Sequence, residues 1–177
     1  MADSLDFHDL AARHFGVTPA IGDSYTEAAR VCLDRHHASP VSFAIRDNDE
    51  ASDAAAEWNA ATRRTQVAWA NEIDATEAGA YAMALATVEL KRGLVAVSRA
   101  ETKTGADYYV NIPGSPEDLE AAHRLEVSGS DGNQAILESR LKMKLAQTKA
   151  GTSNLPAIAT VVGFKELRIL SADLGAT

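Results

Sequence analysis

With a single cysteine, Cys32, in 177 residues, this chain cannot form an internal disulfide, and the lone thiol suits a reducing compartment. There is no apolar run approaching the roughly 18 residues of a membrane span. The opening MADSLDFHDL is acidic and lacks the basic and apolar regions of a signal peptide, so a cytoplasmic protein is expected. There is no excess of basic charge either. Residues 1–90 carry 6 Lys/Arg against 15 Asp/Glu, a net −9, and residues 91–177 carry 11 against 10, a net +1. That balance argues against a general nucleic-acid binder and leaves room for a local basic strip in the second half. Walker, GxGxxG and GxSxG motifs are absent, which removes the common phosphate-loop, dinucleotide and serine-hydrolase readings. The five histidines have no metal-ligand spacing, and no repeat or low-complexity linker divides the chain.

What is present fits one domain, able to bury roughly 70% of its unfolded surface. Residues 4–15 have the pattern of a short amphipathic helix stopping at Gly16, with Pro19 beyond. Asp23 or Ser24 can cap a second helix to about Ala38, with Tyr25, Ala29, Cys32 and His36 along one stripe. Val41, Phe43 and Ile45 alternate with Ser42, Ala44 and Arg46, the period of a half-buried strand. Residues 47–53 are expected to form an acidic loop, and the Ala-rich stretch after them a helix with Trp58, Thr62, Thr65 and Trp69 on one side. The division expected is a mainly helical extension with one strand over 1–73 and an α/β core over 74–177, packed together as one compact domain.

The second half alternates more clearly. Asp74 and Glu77 have capping-box spacing ahead of a helix ending at Gly93. Strands are expected at 94–101, 106–110 and 123–129, then a helix from the SDGN turn to about Ala150 with Leu137, Leu141, Leu145 and Thr148 inward. PAIATVVGF reads as a strand buried on both faces, and LRIL as a last short one. The order from residue 74 is αβββαββ.

Strand parity places Asp107 with Tyr109 on one face, and Arg124, Glu126 and Ser128 opposite Leu125 and Val127. Carboxylates inside β-prone strands run against propensity. Two of them on adjacent strands repel, so one takes up a proton or a cation joins them. Mg²⁺ takes hard carboxylate oxygens. The bland alternative is a cross-strand ion pair of Asp107 with Arg99 or Arg124. Glu101 is a further possible ligand or a solvated strand end.

The element order, with an Asp on the second strand and an acid on the third, resembles the PD-(D/E)XK, or restriction-endonuclease-like, nuclease superfamily over about residues 74–172. The resemblance implies an α/β fold with a helix–three strands–helix–strand core and Mg²⁺ held by Asp107 and Glu126. Glu77 from the first helix would assist, with Glu89 as the second choice. It departs from the family where Ser128 stands in place of the motif lysine, because a hydroxyl cannot supply positive charge to a developing phosphorane. Some members recruit the lysine from the following helix. Lys142, on one stripe with Lys149 and near Lys144, is the expected replacement; otherwise it forms a surface i,i+4 pair with Glu138.

The resemblance thus implies a Mg²⁺-dependent nuclease hydrolysing phosphodiester bonds of DNA or RNA, with Asp107, Glu126 and Lys142 catalytic and Asp107, Glu126 and Glu77 on the metal. Nucleic acid would bind through the C-terminal half. The alternative is an inactive member of the fold, a binding or accessory subunit whose acidic N-terminal half docks a protein partner or a second copy. A third reading is an unrelated α+β fold whose acids are surface ion pairs.

Overall fold

The computed structural model describes residues 3–115 and 118–174. Its centre is an eight-stranded mixed sheet in the order β1-β3-β2-β8-β7-β6-β5-β4. In chain order the elements are β1 (Asp3–Ser4), α1 (Leu10–Arg13), α2 (Pro19–Asp34), β2 (Val41–Asp47), β3 (Glu50–Ala56) and α3 (Arg63–Ala68). They continue with α4 (Glu72–Arg92), β4 (Val95–Arg99), β5 (Tyr108–Asn111), β6 (His123–Ser130), α5 (Gln134–Ala150), β7 (Ala157–Gly163) and β8 (Arg168–Asp173), with a 3-10 turn at Leu119–Ala121. Residues 116–117, between the strands expected at 106–110 and 123–129, lie outside the described residues.

From α4 onward the order is the expected αβββαββ. Asn71 rather than Asp74 caps α4, its side chain accepting from the N–H groups of Ile73 and Asp74. Gly93, at φ 65°, ends the helix in the left-handed conformation glycine permits. β7 is buried at every position, as a strand covered on both faces should be.

The first 73 residues differ more from expectation. Residues 50–56 form a strand, not part of an acidic loop and the start of an Ala-rich helix. Asn48, at φ 53°, makes the tight turn between β2 and β3. Ala54 and Ala56 point into the core at 1% and 0% exposure while Asp53 and Ala55 face outward. Here the period of two outweighed alanine's helix propensity. The expected helix over 4–15 is the short strand β1 followed by the single turn α1. The N-terminal piece is therefore less helical than its composition suggests, and it adds β1, β2 and β3 to the common sheet. β2 pairs in parallel with β8, so the two halves share one sheet.

Four layers result, α2, α4, the sheet and α5. On one face α4 packs against β6 and β7, and α2 covers α4 from outside. A Cβ on Gly79 would lie 2.9 Å from the Ala29 backbone, so small residues set this close helix crossing. Sandwiched between sheet and helix, α4 is buried continuously from Gly79 to Val88. On the other face α5 seats Leu137 and Leu141 on Ala159, Val161 and Leu170. No described helix is long and apolar enough to cross a membrane.

Candidate active site

β5 is short. It pairs with β6 only through Tyr108↔Leu125, Tyr109↔Arg124 and Val110↔His123, whereas β7 accompanies β6 from Arg124 to Ser130. Beyond Leu125, one edge of β6 therefore carries no strand among the described residues. Asp107 stands where β5 would continue. Its N–H donates to the Leu125 carbonyl at 2.8 Å, and its Oδ2 accepts from the Val127 N–H at 2.8 Å. The side chain thus replaces the next rung of the ladder. Continuing the register by one residue sets Asp107 across from Glu126, so the two acids meet as the parity argument required.

Electrostatics keep this meeting from being neutral. The Glu126 side chain is only 4% exposed. Burial first, then the negative charge of Asp107, holds its carboxyl above the ordinary range. Lys144 opposes that shift, its Nζ donating to Glu126 Oε1 at 2.5 Å. On the other acid, Oδ1 of Asp107 accepts from the Tyr81 hydroxyl at 2.9 Å. Burial, followed by the Asp107 charge, pushes the Tyr81 phenol far up, so it acts as a neutral donor. Arg99 lies 3.6 Å from Asp107 Oδ1, donates to the Tyr81 hydroxyl at 3.1 Å, and rests over the Tyr81 and Tyr108 rings at 4.7 and 4.8 Å. The expected Arg99 ion pair is present but loose and half-exposed. Arg124 makes none: it is buried, and its guanidinium donates to the carbonyls of Thr104, Thr148 and Leu155.

The lysine needs correcting. Lys142 is exposed and sits on the flank of α5 shared with Glu138, whose carboxylate is bound by Arg46. Lys144 is the residue that reaches the acids. At 3.6 residues per turn, Leu137, Leu141 and Thr148 define the inward stripe. Lys144 and Arg140 lie on its β6 side, and Lys142 and Lys149 on its β8 side. Arg140 also turns inward, donating to the Ser128 hydroxyl at 3.2 Å. Adjacent turns of one helix therefore deliver two cations to Glu126 and Ser128.

Two depressions meet here. One, of about 460 Å³, opens between α4 and α5 along the free edge of β6. The other, of about 740 Å³, runs between the β4–β5 turn and the end of α5. Asp107 and Lys144 line both. Gly129 is required at the first, because a Cβ would collide with the Thr76 carbonyl of α4.

Glu77 is exposed on α4 and lines the first depression with Asp107. No group of three or more His, Cys, Asp or Glu side chains able to hold a metal is assembled among the described residues. Glu89, the second choice for a helical glutamate, lies elsewhere, bound by Arg13 at 2.9 Å and by His14 at 3.2 Å. Glu101 accepts from the Tyr109 hydroxyl at 2.8 Å and lines only the second depression. Cys32 is buried and unpaired, and burial pushes its thiol up to about 12, which suits the core rather than a nucleophile. The sequence reading did not single out Tyr81 or Arg140; Tyr81 follows Glu77 by four residues and so shares its helical face. Among known proteins the chain matches no family model, no curated protein and no solved structure.

Proposed function

We propose that the chain is a Mg²⁺-dependent phosphodiesterase of the restriction-endonuclease-like kind, with Asp107 and Glu126 as the metal ligands and Lys144 as the catalytic cation. The observation that carries this reading is a pair of neighbouring carboxylates beside an open cleft, one of them held above the ordinary carboxylate range by burial first and then by the other's charge. Such a pair favours a cation between its members. Two carboxylates completed by water or a substrate oxygen are an ordinary Mg²⁺ set. Glu77, on the rim, would join through water or after a change of side-chain conformer. When bound, the ion supplies Lewis acidity and an acidic water.

The remaining roles fall to the chain's own groups. Tyr81 and the Val127 N–H fix both oxygens of Asp107 and thereby its orientation. Lys144, now paired with Glu126, supplies positive charge to the phosphorane that Ser128 cannot. Arg140 stands one turn away to hold a non-bridging oxygen. The test is hydrolysis of bis(p-nitrophenyl) phosphate and of oligonucleotides with Mg²⁺ or Mn²⁺. Asp107→Ala and Glu126→Ala should each lower the rate by about 10³-fold or more, with folding retained. Wild-type rates in both variants would end the proposal.

A second reading has its own support. Glu126 is already paired with Lys144, and no third acid completes a metal group among the described residues, which suits an inactive binding subunit of the same fold. Calorimetry with millimolar Mg²⁺ or Mn²⁺ separates the two, since the inactive form gives no binding heat.

A further inference from the structure

The two depressions have unlike linings, and the acids lie on the floor where they join. Side-chain exposure is 4% for Glu126 and 18% for Asp107. A duplex presents its phosphates on the outside of a stiff cylinder with the bases stacked inside, so it enters a recess between two helices less readily than an unpaired strand, which can bend into it. Duplex binders also need basic walls to displace counterions. The walls of the first depression instead carry Glu72, Glu77 and Asp131 against Arg140 and Lys144.

That depression has apolar lips. Ile73 of α4 is 77% exposed and Met143 of α5 is 55% exposed, and both line it. α4 and α5 lie on opposite faces of the sheet, so these side chains border the cleft from its two walls. Large apolar groups so placed can hold a nucleobase taken out of its stack. The second depression has Arg99 and Lys103 along its turn, with Glu101 between them engaged by the Tyr109 hydroxyl, so the two cations are left to meet backbone phosphates.

Resting on the phosphodiesterase reading above, we infer that the substrate is an unpaired nucleic-acid strand. It crosses the junction with phosphates along Arg99 and Lys103, the scissile phosphate over Asp107 and Glu126, and the adjoining base between Ile73 and Met143. The acidic wall tolerates a base and its sugar hydroxyls but repels a run of phosphates.

The test uses the full chain with Mg²⁺ and one labelled oligonucleotide, offered as a single strand and annealed to its complement. The single strand should be hydrolysed at least about tenfold faster, because the duplex must first unpair. The Ile73→Ser/Met143→Ser double variant should bind the single strand about tenfold more weakly by fluorescence anisotropy, with its melting temperature unchanged. Equal rates on the two forms overturn the inference, as does an unchanged affinity in the double variant. Bis(p-nitrophenyl) phosphate separates the two levels of failure. If Asp107-dependent hydrolysis of this diester persists while duplex and single strand are cut alike, only the choice of strand is wrong. If neither it nor any oligonucleotide is cleaved, the phosphodiesterase reading falls as well.

Discussion

Helix α4 borders two acid clusters that solve the same problem in opposite ways. Towards its C-terminus, Glu89 is one carboxylate with two partners. Arg13 donates to both its oxygens at 3.0 and 2.9 Å, and His14 approaches at 3.2 Å. His14 is fully buried and anchored on its other side, its Nδ1 accepting from the Ala96 N–H at 2.9 Å. That imidazole is neutral with Nε2 carrying the proton, so every polar atom has a partner. Around Tyr81 the ratio inverts: of two neighbouring carboxylates only Glu126 holds a close ammonium, and Asp107 has Arg99, half-exposed, at 3.6 Å. A satisfied cluster holds the fold together, because any change leaves a buried group unpaired. A cluster short of positive charge beside an open cleft is the one on which the proposed metal site rests.

The largest effect should separate the two lysines of α5. Lys144→Ala is expected to lower Mg²⁺-dependent hydrolysis about 10²–10³-fold, the usual cost of losing one group that stabilises the charged transition state. Lys142→Ala should change the rate by less than about twofold, since a surface pair is worth little. Steady-state kinetics on the two variants decides the matter; equal losses would return the catalytic cation to Lys142 or remove it altogether.

Next in size is the contrast between the clusters in stability. Glu89→Ala strands a buried imidazole and a half-buried guanidinium, so chemical denaturation should show a loss of about 2 kcal/mol. Asp107→Asn removes negative charge from the under-neutralised cluster and should cost less. In wild type, Mg²⁺ should raise the melting temperature; in Asp107→Asn that rise should disappear, because a ligand stabilises only the state that binds it. A larger loss at Asp107 than at Glu89 would reverse the assignment of structural and functional roles.

Which parts of this were legible in the sequence depended on how far each signal reaches along the chain. The faces on which Asp107 and Glu126 lie follow from alternation within two short segments, and the burial of 157–163 follows from an unbroken apolar run; both are local properties. The strand at Glu50–Ala56 was obscured because alanine favours helix, although Ser52, Ala54, Ala56 and Trp58 all point inward on a period of two. Spacing to Lys149 points to Lys142; the spacing that decides is that to Leu137, Leu141 and Thr148, which fix the helix's rotation. The approach of Arg99 to Asp107 is a cross-strand contact that the strand order offers, whereas Tyr81 meets Asp107 only through the docking of α4 on the sheet, and nothing local encodes that.

The smallest predicted effect belongs to the satisfied cluster and is read through pH. Burial, the largest cause, lowers the His14 pKa below its ordinary 6.5, and nearby Arg13 adds to this; Glu89 opposes it but does not win. As pH falls below 6.5, the unfolded chain takes up this proton first, so His14 makes stability decline with acidification until the folded-state value is reached. One proton sets a slope of at most about 1.4 kcal/mol per pH unit. Urea denaturation between pH 7.5 and 5 should therefore show a steeper loss for wild type than for His14→Gln, which is less stable at neutral pH but has no such proton to bind. Parallel curves for the two proteins would mean that the imidazole binds its proton alike in the folded and unfolded states, and that the Glu89 cluster is less sealed than its hydrogen bonds imply.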